Sequence, residues 1–161
     1  VQVPPMSRLS LILTLLLTLG PAQAMACRQP DDAARMTEAA LAAINAEREQ
    51  RGMAVLTPDP RLTEAALIHA CDSAARNRMG HDGSDGSDLG DRVKREGYRY
   101  RAIAENVAAG YRTPTSVVQG WMTSSGHRRN ILTRNARDVG LGIATASDGT
   151  LHWVLNLGTD R

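Results

Sequence analysis

The sequence WMTSSGHRRNIL, residues 121–132, is the most informative stretch of the chain, because it places a histidine at a glycine turn directly after an amphipathic helix. This histidine is His127. A second histidine, His81, stands in the loop sequence MGHDGSDGSD, and Glu105 stands in the segment AENVAAG. Two imidazoles and a carboxylate from three separate segments can converge on one metal ion or one polarised water molecule. We therefore expect a cleft where these segments meet.

Helices are predicted throughout the part of the chain that precedes His127. Four positions carry a small polar residue of the kind that caps a helix, and two of these are followed by a first-turn proline. The expected caps are, in chain order, Asp31 or Asp32, then Asp59, Ser87 and Thr113. The corresponding helices are expected to end near Arg51, Arg78, Gly97 and Met122. The residues expected to face inward include Leu62, Ala66, Ala70 and Ala74 of the second helix and Trp121 of the fourth.

After His127 the hydrophobic pattern changes to a period of two, which is typical of strands. Residues 138–144 and 151–157 are predicted to form two strands that a hairpin turn at residues 147–150 connects. In the second strand, Trp153, Leu155 and Leu157 fall on one face, and the alternate residues His152, Val154 and Asn156 fall on the other. Helices first and a β-hairpin late indicate an α+β sandwich in which helices cover an antiparallel sheet.

Residues 1–26 are interpreted as a secretory signal peptide with an upstream extension, and Met6 as its start. Arg8 precedes an apolar run over residues 9–19, and small-residue cleavage sites follow, ending at Ala24 and at Ala26. The run is far shorter than the roughly 20 residues that a membrane-spanning helix needs, so no stable membrane span is expected after signal removal. Residues 27–161 would then form one domain that is secreted or periplasmic.

The two cysteines, Cys27 and Cys71, would both remain after this cleavage, and an oxidising compartment would allow them to form a disulfide. In the alternative interpretation they are unpaired, and Cys71 is a small core residue. Lipid attachment to Cys27 is disfavoured, because Ala24 stands where a lipoprotein signal usually carries leucine. Attachment there would also leave Cys71 without a partner.

The composition is that of an ordinary globular domain and does not indicate nucleic-acid binding. The chain is 42% hydrophobic and 22% charged, and its formal net charge is only +2. Aspartates lie beside the arginine clusters, and with 3% aromatic residues and no phenylalanine the chain lacks platforms on which bases could stack. A nucleic-acid partner is therefore not expected.

Five segments, taken together and in this order, resemble the bacterial branch of the CAP superfamily, the SCP-domain proteins. They are NAERE at residues 45–49, LTPDPRLTEAA at 56–66, the block from His81 through Glu105 to residue 132, VGLGIA at 139–144 and HWVLNLG at 152–158. The resemblance implies a three-layer α-β-α sandwich with a cleft lined by two histidines and acidic residues. In some members of the family that cleft holds zinc or another divalent cation.

The resemblance assigns His81 as the first cleft histidine, Glu105 as the glutamate of the family's GEN segment and His127 as the second cleft histidine. The chain departs from the family pattern at two places. Ala104 stands where the family usually has glycine before the glutamate. Ser124 stands where many animal and plant members carry a second acidic residue in the cleft. Any mechanism that needs two carboxylates is therefore in doubt for this chain.

The chemistry of His81, His127 and Glu105 allows two interpretations. Neutral imidazoles bind zinc readily, and a cation held by only two protein nitrogens keeps positions open for water or a ligand. Glu105 could then orient a histidine N–H or take a proton from bound water. In the other interpretation the histidines only form hydrogen bonds in a polar cleft, and Glu105 fixes its loop together with Asn106.

Three functions are compatible with these residues. The first is a secreted, non-enzymatic module that binds a divalent cation or a small ligand such as a lipid or a cell-envelope component. The second is a metal-dependent hydrolase or protease in which His81 and His127 hold the ion and Glu105 acts as the base. The third is a structural or interaction module. The first is favoured, because a catalytic zinc usually has three protein ligands and the second carboxylate is missing.

The remaining candidate site residues are less favoured. His69, in the second helix, and His152, on a strand face, are interpreted as interior or surface residues without a cleft role. The aspartate-rich loop at residues 81–88 resembles a calcium loop only in composition, since Val93 occupies the place of its final glutamate. Ser124 and Ser125 lack the sequence of a nucleophile elbow, so a serine nucleophile is not expected.

Overall fold

The computed structural model of the chain describes residues 27–160, and the predicted signal peptide lies outside the described residues. The described part contains five helices and four strands. The helices are α1 (Ala33–Glu49), α2 (Pro60–Ala75), α3 (Leu89–Arg95), α4 (Pro114–Thr123) and α5 (Ser125–Ile131). The strands are β1 (Thr57–Pro58), β2 (Tyr100–Ala109), β3 (Asp138–Thr145) and β4 (Leu151–Asp160). No helix in this part of the chain is long and apolar enough to cross a membrane.

The strands form one sheet in the order β1-β3-β4-β2. The predicted hairpin is confirmed as the antiparallel pair β3–β4, and its turn has Gly149 at a φ of +87°. The expectation that all strands follow the helices is wrong, because β2 lies between α3 and α4 and pairs with β4, with Glu105 opposite Asn156. The alanine-rich, charged start of β2 lacks the alternation that marks a strand. Its long-range pairing with β4 outweighs this weak local preference.

Helices cover both faces of the sheet, which confirms the three-layer α-β-α sandwich. On one face α1 and α4 bury Ile44 and Trp121 against the β4 residues Trp153, Leu155 and Leu157. On the other face the alanines of α2 pack against Val154 of β4. The predicted division of β4 between two faces is therefore confirmed. The four inward residues predicted for α2 are all buried.

Two glycines of β3 allow α2 to lie unusually close to the sheet. A Cβ atom added at Gly140 would collide with the backbone of Leu62 and Thr63. One added at Gly142 would collide with the backbone of the next turn of the same helix. The close approach leaves room for nothing larger than hydrogen at these two positions, which explains the glycines of the VGLGIA sequence in physical terms.

Three helix starts were predicted at or next to their observed positions. The Asp59 carboxylate accepts hydrogen bonds from the backbone N–H groups of Arg61 and Leu62 at the start of α2, and Thr113 forms a capping box at the start of α4. Ser87 is the wrong cap for α3. The adjacent Asp88 caps it instead, because its side chain and that of Asp91 satisfy two backbone N–H groups reciprocally.

The first helix begins after Asp32, as predicted, but the Asp32 side chain makes no capping hydrogen bond. Its carboxylate pairs with the Arg35 guanidinium at 2.6 Å instead. The first two helices also end slightly earlier than predicted, at Glu49 and Ala75. Positive φ angles at Gly52 and Asn77, just beyond these ends, turn the chain away from each helix.

His127 lies in the first turn of α5 and not at a glycine turn, so this prediction is wrong. Ser124 has extended backbone angles, which end α4 and place it at the cap position of α5. The N–H of Arg128 then donates to the carbonyl of Ser124 at 2.8 Å, and this bond closes the first helical turn. A short second helix therefore carries the histidine.

Cys27 and Cys71 form a disulfide, with 5.3 Å between their Cα atoms, so the predicted pairing is confirmed. The bond joins the segment before α1 to the middle of α2. The same segment is also held to β3, because the N–H of Thr145 donates to the carbonyl of Arg28 at 2.7 Å.

The NAERE sequence in α1 supplies two side chains that hold other segments, the partly buried Asn45 and the fully buried Arg48. The Asn45 side chain exchanges two hydrogen bonds with the backbone of Leu56. Arg48 is 0% exposed, and burial lowers the pKa of its guanidinium. The guanidinium donates to four backbone carbonyls, those of Ala54, Ile131, Thr133 and Ala136, at distances of 2.7 to 3.3 Å. Arg48 thus fastens the C-terminal end of α5 to α1.

Candidate functional site

Glu105 is the centre of the candidate cleft. Strand β2 buries its side chain to 3% exposure, and both carboxylate oxygens accept hydrogen bonds. Oε1 accepts from Nδ1 of His81 at 2.9 Å, and Oε2 accepts from Nη2 of Arg92 at 2.8 Å. An ionised carboxylate can only accept, so Nδ1 of His81 carries the proton of this hydrogen bond. The other nitrogen of His81, Nε2, is then available as a lone-pair donor in the neutral ring.

Arg92 is the main site residue that the sequence did not reveal. It lies on α3 with 4% of its side chain exposed, and its Nη1 also donates to the carbonyl of Ser87 at 2.9 Å. The buried ion pair with Glu105 places a compensating positive charge beside the carboxylate, without which burial of the carboxylate would be very costly. In the sequence Arg92 is one member of a basic cluster, and no local pattern separates it from its exposed neighbours.

His127 is joined to the Glu105 strand by two asparagines. Asn106 donates to the His127 carbonyl at 3.1 Å, and Asn130 donates to the Glu105 carbonyl at 3.2 Å. Asn130 also donates to the Asn106 side-chain oxygen at 2.9 Å. These bonds fix α5 against β2. The structure therefore brings His81 directly to Glu105 and holds the backbone of His127 on the residue that follows Glu105.

The electrostatic environment of His127 favours its neutral form. Burial lowers the pKa of the half-buried imidazole, and the nearby His81 lowers it further. A neutral imidazole has a lone pair for a cation or a donor group, whereas the protonated ring has none. The cleft thus keeps His127 in the state that can bind a metal ion.

A groove of about 420 Å³ opens on the His81 side of the cleft. His81 and Glu105 line one part of it, and Asp82, Asp88, Leu89, Gly90, Tyr100 and Ile103 line the remainder. The wall therefore combines carboxylates with apolar and aromatic surface, a mixture that suits a ligand with a polar head.

A divalent cation bound in this cleft would have at most two histidine nitrogens as protein ligands. In residues 27–160 no group of three histidine, cysteine, aspartate or glutamate side chains is placed to hold a metal ion. Both oxygens of Glu105 are already bound to protein donors, so its carboxylate is suited to orient His81 and not to ligate. The candidate metal ligands are therefore His81 through Nε2 and the ring of His127.

The other two histidines, for which the sequence left interior and surface positions open, are both buried. His69 is fully buried and lies directly beneath the cleft, with Nε2 at 2.9 Å from the carbonyl oxygen of Gly80 and 3.9 Å from Oε1 of Glu105. His152 is also buried, and its Nε2 lies 3.2 Å from Oδ1 of Asn77. The proximity of His69 to Glu105 was not predicted, because a sequence does not show which face of a helix will meet a distant strand.

The serines gain no chemical role in this geometry, whereas the aspartate loop contributes Asp82 and Asp88 to the wall of the groove. Ser124 occupies the cap position of α5, and Ser125 is exposed. Two carboxylates of the loop fix the local backbone. Asp85 accepts from the Ser87 backbone and pairs with Arg95, and Asp88 caps α3.

Comparisons with known proteins agree with this architecture. The sequence model of CAP, the cysteine-rich secretory protein family, matches residues 41–157. The uncharacterized protein YkwD of Bacillus subtilis is 37% identical over 98 residues, which are 61% of this chain and 38% of YkwD. The chain therefore spans well under half the length of that relative.

Two solved structures share the fold. An outer surface protein from Borrelia burgdorferi superimposes with a TM-score of 0.77 at 17% identity, covering 84% of this chain and 99% of that one. An extracellular protein containing an SCP domain from Bacillus anthracis has a TM-score of 0.70 at 26% identity, covering 79% and 41% of the two chains.

Proposed function

Because the chain belongs to the CAP, or cysteine-rich secretory protein, family, we propose that it is an exported binding module and not an enzyme. In this proposal His81 and His127 bind a divalent cation such as zinc, the polar head of a small ligand, or both. The ligand is a lipid or a cell-envelope component. Glu105 and Arg92 hold the cleft in shape and do not react.

The proposal depends mainly on the burial and the hydrogen bonds of the Glu105 carboxylate. A general base must reach the proton that it removes, either directly or through one water molecule. The Glu105 side chain is 3% exposed, and Arg92 and His81 each occupy one of its oxygens. A carboxylate held in this way resembles the partner that orients a metal-binding histidine. The geometry therefore favours binding over acid–base catalysis.

Two features support export. Disulfides such as Cys27–Cys71 form and persist in oxidising compartments, outside the cytosol. The Bacillus anthracis structure that shares the fold is described as an extracellular protein. Together with the signal peptide expected at residues 1–26, these features favour a secreted or periplasmic location.

Hydrolysis assays separate this function from the metal-dependent hydrolase. We expect the zinc-loaded protein to cleave peptide and ester substrates no faster than a matched variant in which His81 and His127 are both alanine, because the Glu105 carboxylate is held by His81 and Arg92 and is not placed to act as a base. Zinc-dependent turnover that disappears in Glu105→Gln would contradict the proposal and establish the hydrolase instead. Turnover unaffected by either variant would show a contaminating activity and leave the expected result in place.

A further inference from the structure

His69 is a fully buried histidine whose position ties it to the cleft. It lies on α2, and its side chain is 0% exposed. Its Nε2 is 2.9 Å from the carbonyl oxygen of Gly80. A carbonyl oxygen can only accept, so Nε2 carries the proton and donates it. Within the described residues Nδ1 has no hydrogen-bond partner, so the imidazole is held by its hydrogen bond to Gly80.

Gly80 directly precedes His81, so this hydrogen bond anchors the backbone at the cleft histidine. The chain between Ala75, where α2 ends, and Leu89, where α3 begins, contains neither helix nor strand. His81 itself is 61% exposed and has little packing of its own. The position of its ring therefore depends on the backbone that carries it.

The partner of His81 is held by a strand and by a helix side chain. Glu105 lies on β2, and the buried guanidinium of Arg92 fixes its second oxygen. His69 lies 3.9 Å from Oε1 of Glu105, beyond hydrogen-bond distance, so it does not compete with His81 for that oxygen. The Gly80 anchor, together with the hydrogen bond that Arg76 donates to the Asp82 carbonyl at 3.1 Å, thus limits how the His81 ring approaches this carboxylate.

We infer that His69 is the positioning residue of this cleft: by donating to the Gly80 carbonyl it holds His81 against Glu105, and it does not itself touch the ligand. The contacts among His69, Gly80, His81 and Glu105 in the metal-free protein do not depend on the proposed function. Only the expected effect on zinc affinity rests on that function.

Three variants test the inference. His69→Phe fills a similar volume and removes the donor, whereas His69→Gln keeps an N–H donor close to the position of Nε2. His152→Phe is the matched control, because His152 is a buried histidine bonded to the side chain of Asn77, four residues before His81, and not to the backbone next to His81. The readout is the tautomer of His81 in the metal-free, full-length protein, measured by nitrogen–proton NMR of the imidazoles at about pH 8, where free histidine is neutral.

In the wild type and in His152→Phe we expect His81 to be protonated mainly at Nδ1, as its bond to Glu105 requires. In His69→Phe we expect the signals to shift toward the mixture of tautomers found in a solvent-exposed ring, and in His69→Gln to return toward wild type. An unchanged His81 tautomer in folded His69→Phe would overturn the inference. If His69→Phe does not fold, the same NMR measurement is made on His69→Asn, because the asparagine side chain is too short to donate to the Gly80 carbonyl.

Zinc titration of the same proteins provides a second readout. Loss of a residue that orients a metal-binding histidine typically lowers metal affinity by about 10-fold to 100-fold, and we expect such a loss in His69→Phe only. If the wild type binds no zinc, the metal site of the proposed function fails, while the NMR result still decides the role of His69. If zinc binds but His69→Phe retains both its affinity and the His81 tautomer, the inference alone fails.

Discussion

Replacement of Arg48 by methionine is expected to lower the free energy of unfolding by roughly 3 to 5 kcal/mol. The Arg48 side chain is completely buried and satisfies four backbone carbonyls of the segments at Ala54 and at residues 131–136. Methionine fills much of the same space but donates no hydrogen bond, so the carbonyls of Ala54, Ile131 and Thr133 lose this charged donor, while that of Ala136 keeps a bond from Arg137 at 3.0 Å. Each unsatisfied buried acceptor costs about 1 to 3 kcal/mol.

Chemical denaturation measures this loss, and Arg35→Met is the matched control. Arg35 is on the same helix, but its side chain is 80% exposed and forms a surface ion pair with Asp32. Removal of such a surface ion pair is expected to cost less than about 1 kcal/mol. A similar small loss for Arg48→Met would show that the four hydrogen bonds do not hold α5 to α1.

Replacement of Trp121 by alanine is expected to cost roughly 3 to 5 kcal/mol. Trp121 is 1% exposed in the core between α4 and the sheet, and its Nε1 lies 3.4 Å from the carbonyl oxygen of Val107. Alanine would leave a large cavity at the centre of this layer. The residue also begins the sequence that leads to His127, so its packing fixes the end of α4 from which α5 departs.

The unfolding free energy of Trp121→Ala is compared with that of Thr123→Ala at the exposed end of the same helix. The control is expected to change stability by no more than about 0.5 kcal/mol. A loss below about 1 kcal/mol for Trp121→Ala would mean that the indole does not fill this core position.

Local signals explain which parts of the fold were predictable. The caps at Asp59 and Thr113 depend on residues within one turn of the helix, and the two faces of β4 follow from strict alternation. Strand β2 was missed because its partner lies about fifty residues away and its alanines carry no strand preference. The short helix α5 was missed because Gly126 suggests a turn, whereas extended Ser124 allows a new helix to begin.

In the candidate site, too, the residues with local sequence signals were predicted and those that depend on long-range packing were not. Residue type and family resemblance were enough to select His81, Glu105 and His127. Arg92 and His69 were not selected, because their importance lies in burial against Glu105, which depends on how α2, α3 and β2 pack. A buried carboxylate requires compensating partners, so the expectation of a buried Glu105 could have prompted a search for a basic residue on a neighbouring helix.

The most direct test of the proposed binding site is a calorimetric titration of the exported protein with zinc, beside a variant in which His81 and His127 are both alanine. His152→Ala serves as the control, because it removes a buried histidine that is bonded to Asn77 and lies opposite Ala109, four residues along β2 from Glu105. We expect saturable binding at one site in the wild type and the control, and no binding in the double variant. Equal binding in all three proteins, or no binding in the wild type, would contradict the assignment of His81 and His127 as metal ligands.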